Sequence, residues 1–201
     1  MTRVDKVVVG GVFSLDGQDF DVDNNVWLVG DDDEVLVIDA PHDADPIVQA
    51  IGGRRVTAIV LTHGHNDHIT AAPSLREATG APIWFHPADR MLWDAVHPGI
   101  APDRDLADGV RFDVAGVALT ALVTPGHSPG STCLSAPDLG VVFTGDTLFQ
   151  GGPGATGRSY SDQPTILTSI RSRLLTLPGD TVVHTGHGDD TTIAAEQTNV
   201  V

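Results

Sequence analysis

Ile59-Val60-Leu61-Thr62-His63-Gly64-His65-Asn66-Asp67-His68 is the stretch on which the fold turns. A short apolar run stops at a threonine and then presents three histidines and an aspartate. His63 and His65 are two residues apart, so an extended loop points both the same way. Asp67 and His68 follow at the turn into a helix and can point elsewhere, so one segment can serve two metals. The punctuation recurs. Ala121-Leu122-Val123 ends in Thr124 and then Pro125-Gly126-His127. Val141-Val142-Phe143 ends in Thr144 and then Gly145-Asp146, and Val182-Val183-His184 ends in Thr185 and then Gly186-His187. Glycine permits the dihedrals and close approaches that such turns need. If these strand ends share one sheet edge, five histidines and two aspartates meet there. Imidazole and carboxylate are good donors for zinc and other first-row metals. One polar residue at a strand end is usually a turn former; four such ends with a single donor chemistry read as a metal site.

Composition bounds the rest. The 201 residues carry 11 basic and 27 acidic side chains, a formal charge of −16. That balance argues against a nucleic-acid partner, which requires a basic face. A hydrophobic share of 41% is enough for a packed core. Cys133 is the one cysteine, which excludes an intrachain disulfide framework and fits a reducing compartment. No apolar run approaches the ~20 residues of a membrane helix, and Met1 to Leu15 lacks the plan of a signal peptide. The expectation is a cytoplasmic protein with no membrane partner, folded as one domain over residues 1–201. The oligomeric state stays open.

Short β-branched runs predict strands at Lys6–Phe13, Asn25–Val29, Glu34–Ile38, Ala58–Leu61, Ile83–Phe85, Val117–Val123, Thr132–Ser135, Val141–Phe143 and Thr181–His184. One helix is expected from His68 through Ala78 and another from Pro87 to about Ala95, with proline in its tolerated first turn. A third places Ile166, Leu167, Ile170, Leu174 and Leu177 on one face and stops at Pro178-Gly179. Strands in runs with helices between them suggest sheets with helices outside. The glycine-rich 151–157 stretch reads as a loop over a pocket, within one domain.

The residues from Val35-Leu36-Val37-Ile38-Asp39 to His187-Gly188 resemble the metallo-β-lactamase superfamily, and within it the glyoxalase II-like (hydroxyacylglutathione hydrolase) branch. The resemblance implies an α/β fold, the αβ/βα sandwich of two mixed sheets face to face with helices on the outer faces. It implies one metal held by His63, His65 and His127, a second by Asp67, His68 and His187, and Asp146 bridging both. Zn²⁺ is the expected ion, two per chain, with Fe or Mn as alternatives. Asp39 matches an acid that braces the ligand loop, since ligating histidines usually donate their other N–H. Arg158 and Tyr160 match positions that hold the thiol part of the substrate. Family members with two domains continue into a helical substrate-binding domain; this sequence has few residues after His187, so no such domain is expected. The thiol is therefore open between glutathione, mycothiol and another.

That resemblance implies hydrolysis of a small-molecule thioester by hydroxide held between two ions, Asp146 bridging them. A thiolate leaves with little need of an acid, which favours a thioester over a lactam, although Asp67 could shuttle a proton. The alternatives are a persulfide dioxygenase with one Fe(II) on His63, His127 and Asp146, a lactonase or β-lactamase, and a metal-binding module without catalysis. His42, His86, His97 and His184 read as loop, helix-entry, turn and strand residues. Cys133 reads as a buried thiol. Asp31-Asp32-Asp33-Glu34 reads as a solvated hairpin turn, not a calcium loop.

Overall fold

The computed structural model describes residues 1–200. Strands β1 (Arg3–Leu15) and β2 (Gln18–Gly30) form a long antiparallel hairpin. Asp16 and Gly17 close it at φ 53° and 72°, the paired left-handed residues whose twist suits a two-residue hairpin turn. The chain continues through β3 (Glu34–Ile38), α1 (Asp45–Ile51), β4 (Arg55–Val60), α2 (Asn66–Ile69), α3 (Ala72–Thr79) and β5 (Ile83–Phe85). A single 3₁₀ turn at Pro87–Asp89, α4 (Arg90–Val96) and β6 (Arg104–Asp105) follow. These six strands form one mixed sheet in chain order, antiparallel from β1 to β3 and parallel from β3 to β6.

The second sheet takes β7 (Arg111–Val114), β8 (Val117–Val123), β9 (Thr132–Ala136) and β10 (Val141–Gly145) as an antiparallel meander. A small hairpin of β11 (Leu148–Phe149) and β12 (Gly152–Pro153) leads to α5 (Gln163–Ser169) and a π-helical turn at Ile170–Leu174. Strand β13 (Val182–Thr185) then returns parallel to β10, with β14 (Thr191–Thr192) and α6 (Ile193–Glu196) at the end.

Strand periodicity sorts the side chains into three apolar layers. Leu36, Ile38, Ala58 and Val60 face the second sheet and pack with Leu119, Ala121, Leu134 and Phe143. Val35, Val37, Ile59 and Leu61 face the other way, onto Ile47, Ile69, Leu75 and Trp93 of the first helical layer. On the far side Cys133, Val142 and Val183 pack under Ile166, Ile170 and Leu174. Each buried Val, Leu, Ile or Phe among them contributes about 1.5–3 kcal/mol. The order helix, sheet, sheet, helix is the expected sandwich.

Individual elements depart from the sequence reading. The first hairpin is far longer than the strands expected at Lys6–Phe13 and Asn25–Val29. Gln18–Asn24 alternates Phe20 and Val22 with Asp19, Asp21 and Asp23, a period of two that the shorter expected strands left out, and it pairs in register with β1. The helix expected from His68 to Ala78 is two pieces, α2 and α3, because Pro73 starts a new first turn. The helix expected from Pro87 begins as the 3₁₀ turn. The helix expected through Leu177 is interrupted, since Leu175 N donates to Ile170 O (2.9 Å), a bond one residue longer than the α-helical one. Among the described residues no helix is long and apolar enough to cross a membrane.

Candidate metal centre

Four loops leave the strand ends at one edge of the sandwich: those after β4, β8, β10 and β13. They bring His63, His65, Asp67, His68, His127, Asp146 and His187 together. Around His65 Nδ1, the Nε2 atoms of His63 and His127 each lie 3.0 Å away. In the neighbouring group His68 Nε2 lies 3.2 Å from His187 Nε2, and Asp67 Oδ2 lies 3.6 Å and 3.3 Å from those two nitrogens. Asp146 stands between the groups. Its Oδ2 is 3.5 Å from His127 Nε2 and 3.4 Å from His187 Nε2, and its Oδ1 is 3.3 Å from His68 Nε2. Gly186 makes this approach possible: a Cβ there would sit 2.2 Å from Asp146 Oδ1.

Partners on the outer side fix which nitrogen faces inward. His68 Nδ1 donates to Asp39 Oδ2 (2.8 Å), His187 Nδ1 to Asp23 O (2.8 Å) and His127 Nδ1 to Ala155 O (2.9 Å). Thr62 Oγ1 donates to Asp39 Oδ2 (2.9 Å), so its lone pair accepts from His63 Nδ1 (3.1 Å). Four Nε2 atoms are therefore turned to the interior, the arrangement that outer partners impose on metal-ligating imidazoles. Asp39 also accepts from Thr62 N (2.7 Å) at Oδ1, which ties β3 to the ligand loop.

The donor set fits one or more divalent cations. The buried atoms Asp67 Oδ1, Asp146 Oδ1 and His65 Nε2 have no hydrogen-bond partner among the described residues. A buried carboxylate oxygen left without a donor is costly, and a cation at these atoms would remove that cost. His63-His65-His127, His63-His68-Asp146 and Asp67-His68-His187 each converge closely enough to share an ion.

The metal-free electrostatics divide along the same line. Burial, then the neighbouring His127, pushes His65 down to about 3. Burial, then His68 and His65, holds His63 well below the usual imidazole range. Burial opposes charge on His187 too, but Asp146 and Asp67 outweigh it and push that ring up to about 10. Asp146, Asp67 and Asp39 likewise outweigh burial at His68, which is raised well above the usual value.

Two residues at the centre, Asp89 and Asn24, had no role in the sequence reading, and His42 was read as a loop residue. Asp89, fully buried, accepts from Gly64 N (2.8 Å), Ser128 Oγ (2.6 Å) and Gly130 N (2.6 Å). It clamps the His63-Gly64-His65 loop to the turn that carries His127. Asn24 Nδ2 lies against the second group, and Asn24 Oδ1 accepts from His42 Nε2 (2.8 Å). Nothing local in the sequence marks Asp89; Asn24 and His42 were visible only as polar residues beside a strand and a loop. The other histidines lie elsewhere. His184 stacks on Trp27 and pairs with Asp190, His86 caps the 3₁₀ turn through Ala88 N, and His97 bonds Ile69 O.

A cavity of about 540 Å³ opens onto the donors. Phe13, Phe20 and Phe149 form its apolar wall, with Asp21 and Asp23 at the rim. Arg158 lines it too; its guanidinium lies 4.6 Å from the Phe20 ring centre and donates to Gln18 Oε1 (3.0 Å). Tyr160 is not brought to the cavity: it is 52% exposed, on a left-handed backbone at φ 70°. Cys133 is buried away from the cavity beside Thr124, and burial pushes its thiol up to about 11.

Fold and donor set define a metal-dependent hydrolase scaffold. The family model of the metallo-beta-lactamase superfamily matches residues 20–187, and the chain belongs to that superfamily. It is 37% identical over 188 residues to the probable metallo-hydrolase YqgX of Bacillus subtilis, covering 86% of this chain and 89% of that one. It is 34% identical over 189 residues to the hydroxyacylglutathione hydrolase GloC of Haemophilus influenzae, with the same shares covered. Among solved structures, the BLEG-1 B3 metallo-beta-lactamase superimposes with TM-score 0.79 at 28% identity, over 94% of this chain and 97% of that one. TTHA1623, solved in a di-iron-bound form, gives 0.78 at 32% identity over 87% and 92%.

Proposed function

We propose that this chain hydrolyses a thioester of a small thiol, using two zinc ions held in the paired donor groups. His63, His65 and His127 would hold one ion and Asp67, His68 and His187 the other, with Asp146 shared. The observation that supports this most is the shared carboxylate: Asp146 reaches His127 with one oxygen and His68 with the other. When bound, such ions lower the pKa of water to about 7 and draw charge from a carbonyl oxygen. The chain's own part is to place and restrain. Asp39, Asp23 O, Ala155 O and Thr62 hold the imidazoles in one tautomer, so no reorganisation is needed at the moment of reaction. Asp67 lines the cavity, and in this reading its carboxylate would also relay a proton.

The leaving group favours a thioester. A thiol with a free pKa of about 8.5 departs as thiolate without an acid, whereas an amide nitrogen needs a proton delivered. No Lys or Tyr is among the described residues that line the cavity. The wall also bears on the thiol. Arg158 is the one Arg or Lys there, already stacked on Phe20, while Asp21 and Asp23 stand at the rim. A thiol moiety with little negative charge suits that wall better than a dicarboxylate such as glutathione. GloC's name supports the reaction class; the likeness to a B3 metallo-beta-lactamase supports β-lactam hydrolysis as a second reading.

A panel of thioester, lactone and β-lactam substrates with zinc-loaded protein tests this. The expected result is kcat/KM at least 100-fold higher for a thioester than for any lactam, and higher for an uncharged thiol's ester than for glutathione's. Equal or faster lactam turnover, or oxygen uptake with a thiol persulfide in place of hydrolysis, would overturn it.

A further inference from the structure

Asn24 lies on β2, outside the seven donors, yet its side-chain amide completes a figure around the second group. Asn24 Nδ2 lies 3.1 Å from Asp67 Oδ2, 3.2 Å from His68 Nε2 and 3.4 Å from His187 Nε2. Those three atoms are themselves separated by 3.2 Å, 3.3 Å and 3.6 Å. Four atoms with every edge near one length form a tetrahedron. A regular tetrahedron of about 3.3 Å edge has its centre about 2.0 Å from each corner, the length of a zinc bond to nitrogen or oxygen. Asn24 is fully buried, so its amide is held at that corner by packing rather than left free in solvent.

The amide's oxygen and nitrogen exchange places by a half-turn. With nitrogen inward, Asn24 donates to Asp67 Oδ2 and accepts from His42 Nε2 at 2.8 Å. With oxygen inward, the NH₂ group would donate to His42 Nε2 instead, and His42 would carry its proton on Nδ1. His42 is built to serve as that partner. Its backbone is left-handed, at φ 46°, a conformation that a non-glycine residue holds only when its surroundings impose it. Its ring lies over Gly11, where a Cβ would come within 2.3 Å of His42 Cγ and Nδ1. A strained backbone and a bare glycine both serve to bring one imidazole against the Asn24 amide.

We propose that the Asn24 carboxamide oxygen is a ligand of the second ion, and that His42 turns with it as the partner that reports its orientation. Asp146 Oδ1 and Oδ2 reach the same two imidazoles, so this carboxylate would border the same ion. In the metal-free chain the NH₂ group takes the cation's place at Asp67; ion uptake turns the amide over. The inference rests on the two-ion reading above.

Competitive zinc titration with a chromophoric chelator, on wild type, Asn24→Ala and Asn24→Asp, tests it, alongside ¹⁵N spectra of the His42 ring with and without zinc. Wild type should bind two ions. Asn24→Ala should weaken the second by about 10- to 100-fold and leave the first within about twofold, and Asn24→Asp should keep the second. In wild type, saturation with zinc should move the His42 proton from Nε2 to Nδ1, a readout that needs no variant to fold. Two ions bound equally well by Asn24→Ala, or a His42 ring whose tautomer ignores zinc, overturns the ligand role alone. A wild type that binds one ion overturns the two-ion reading with it.

Discussion

His63, His65 and His127 turn three ring nitrogens toward one point, and burial holds the first two below the usual imidazole range, whereas Asp67, His68 and His187 combine a carboxylate with two imidazoles that keep their protons. The first group has nothing in the metal-free chain to neutralise converging lone pairs, so burial drives His65 down to about 3. In the second, Asp146 and Asp67 push His187 up to about 10 against the effect of burial. A proton can stand in for a cation in the second group and not in the first. Two donor groups that meet at Asp146 on one sheet edge should therefore load with different pH dependence.

The variant that breaks both sides at once carries the largest expected effect. Asp146→Ala removes the one group common to the two, so both ions should weaken and thioesterase activity should fall by at least about 10³-fold, near the effect of losing a principal electrostatic group. Elemental analysis with steady-state kinetics checks this; two tightly bound ions in that variant would contradict the sharing.

Proton competition comes next. An ion entering the second group must displace the protons of both His187 and His68, so its affinity should rise by more than tenfold per pH unit from 6.5 toward 10. His63 and His65 are held below the usual imidazole range and offer no such competitor, so the first group's affinity should rise less steeply there. Calorimetric titrations across pH distinguish the two, and parallel slopes would remove the contrast.

The same asymmetry shapes the stability of the metal-free chain. His187 binds its proton more tightly folded than unfolded, so its contribution is complete below pH 6.5 and is lost as pH rises toward 10. His65 is kept neutral when folded, so stability falls as pH drops from 6.5 toward 3. Melting temperatures in chelator should therefore peak near pH 6.5 and decline on both sides; a steady climb to pH 9 would contradict the His187 assignment.

Asp89→Asn should act on one side only. It weakens a carboxylate that accepts from Gly64, Ser128 and Gly130, at a cost of about 1–3 kcal/mol. The first ion should weaken by about 10-fold and the second should not. The smallest effect is expected from Arg158→Ala, a rise in KM of a few-fold with kcat unchanged, because Arg158 touches the wall and no donor.

The sandwich was legible because its central strands are short, β-branched and buried on both faces, as in Val35–Ile38 and Ala58–Leu61. The donors were legible because each follows such a strand after a threonine and a glycine or proline turn. The long first hairpin was not. Phe20 and Val22 do alternate with aspartates in Gln18–Asn24, but the two apolar residues are diluted by acid, and the turn mark Asp16-Gly17 fixes register only once both strands are considered. Asp89 and Asn24 were hidden for a different reason. Each acts across tens of residues, on Gly130 and on Asp67, and the reach of a buried polar side chain leaves no periodic trace in its own segment.

Anomalous diffraction from crystals grown with zinc tests whether a pair of ions sits among the seven side chains. The account predicts two peaks, one within bonding distance of His63, His65 and His127, the other of Asp67, His68 and His187, with Asp146 touching both. A single peak, or ions bound away from these groups in active protein, would contradict it.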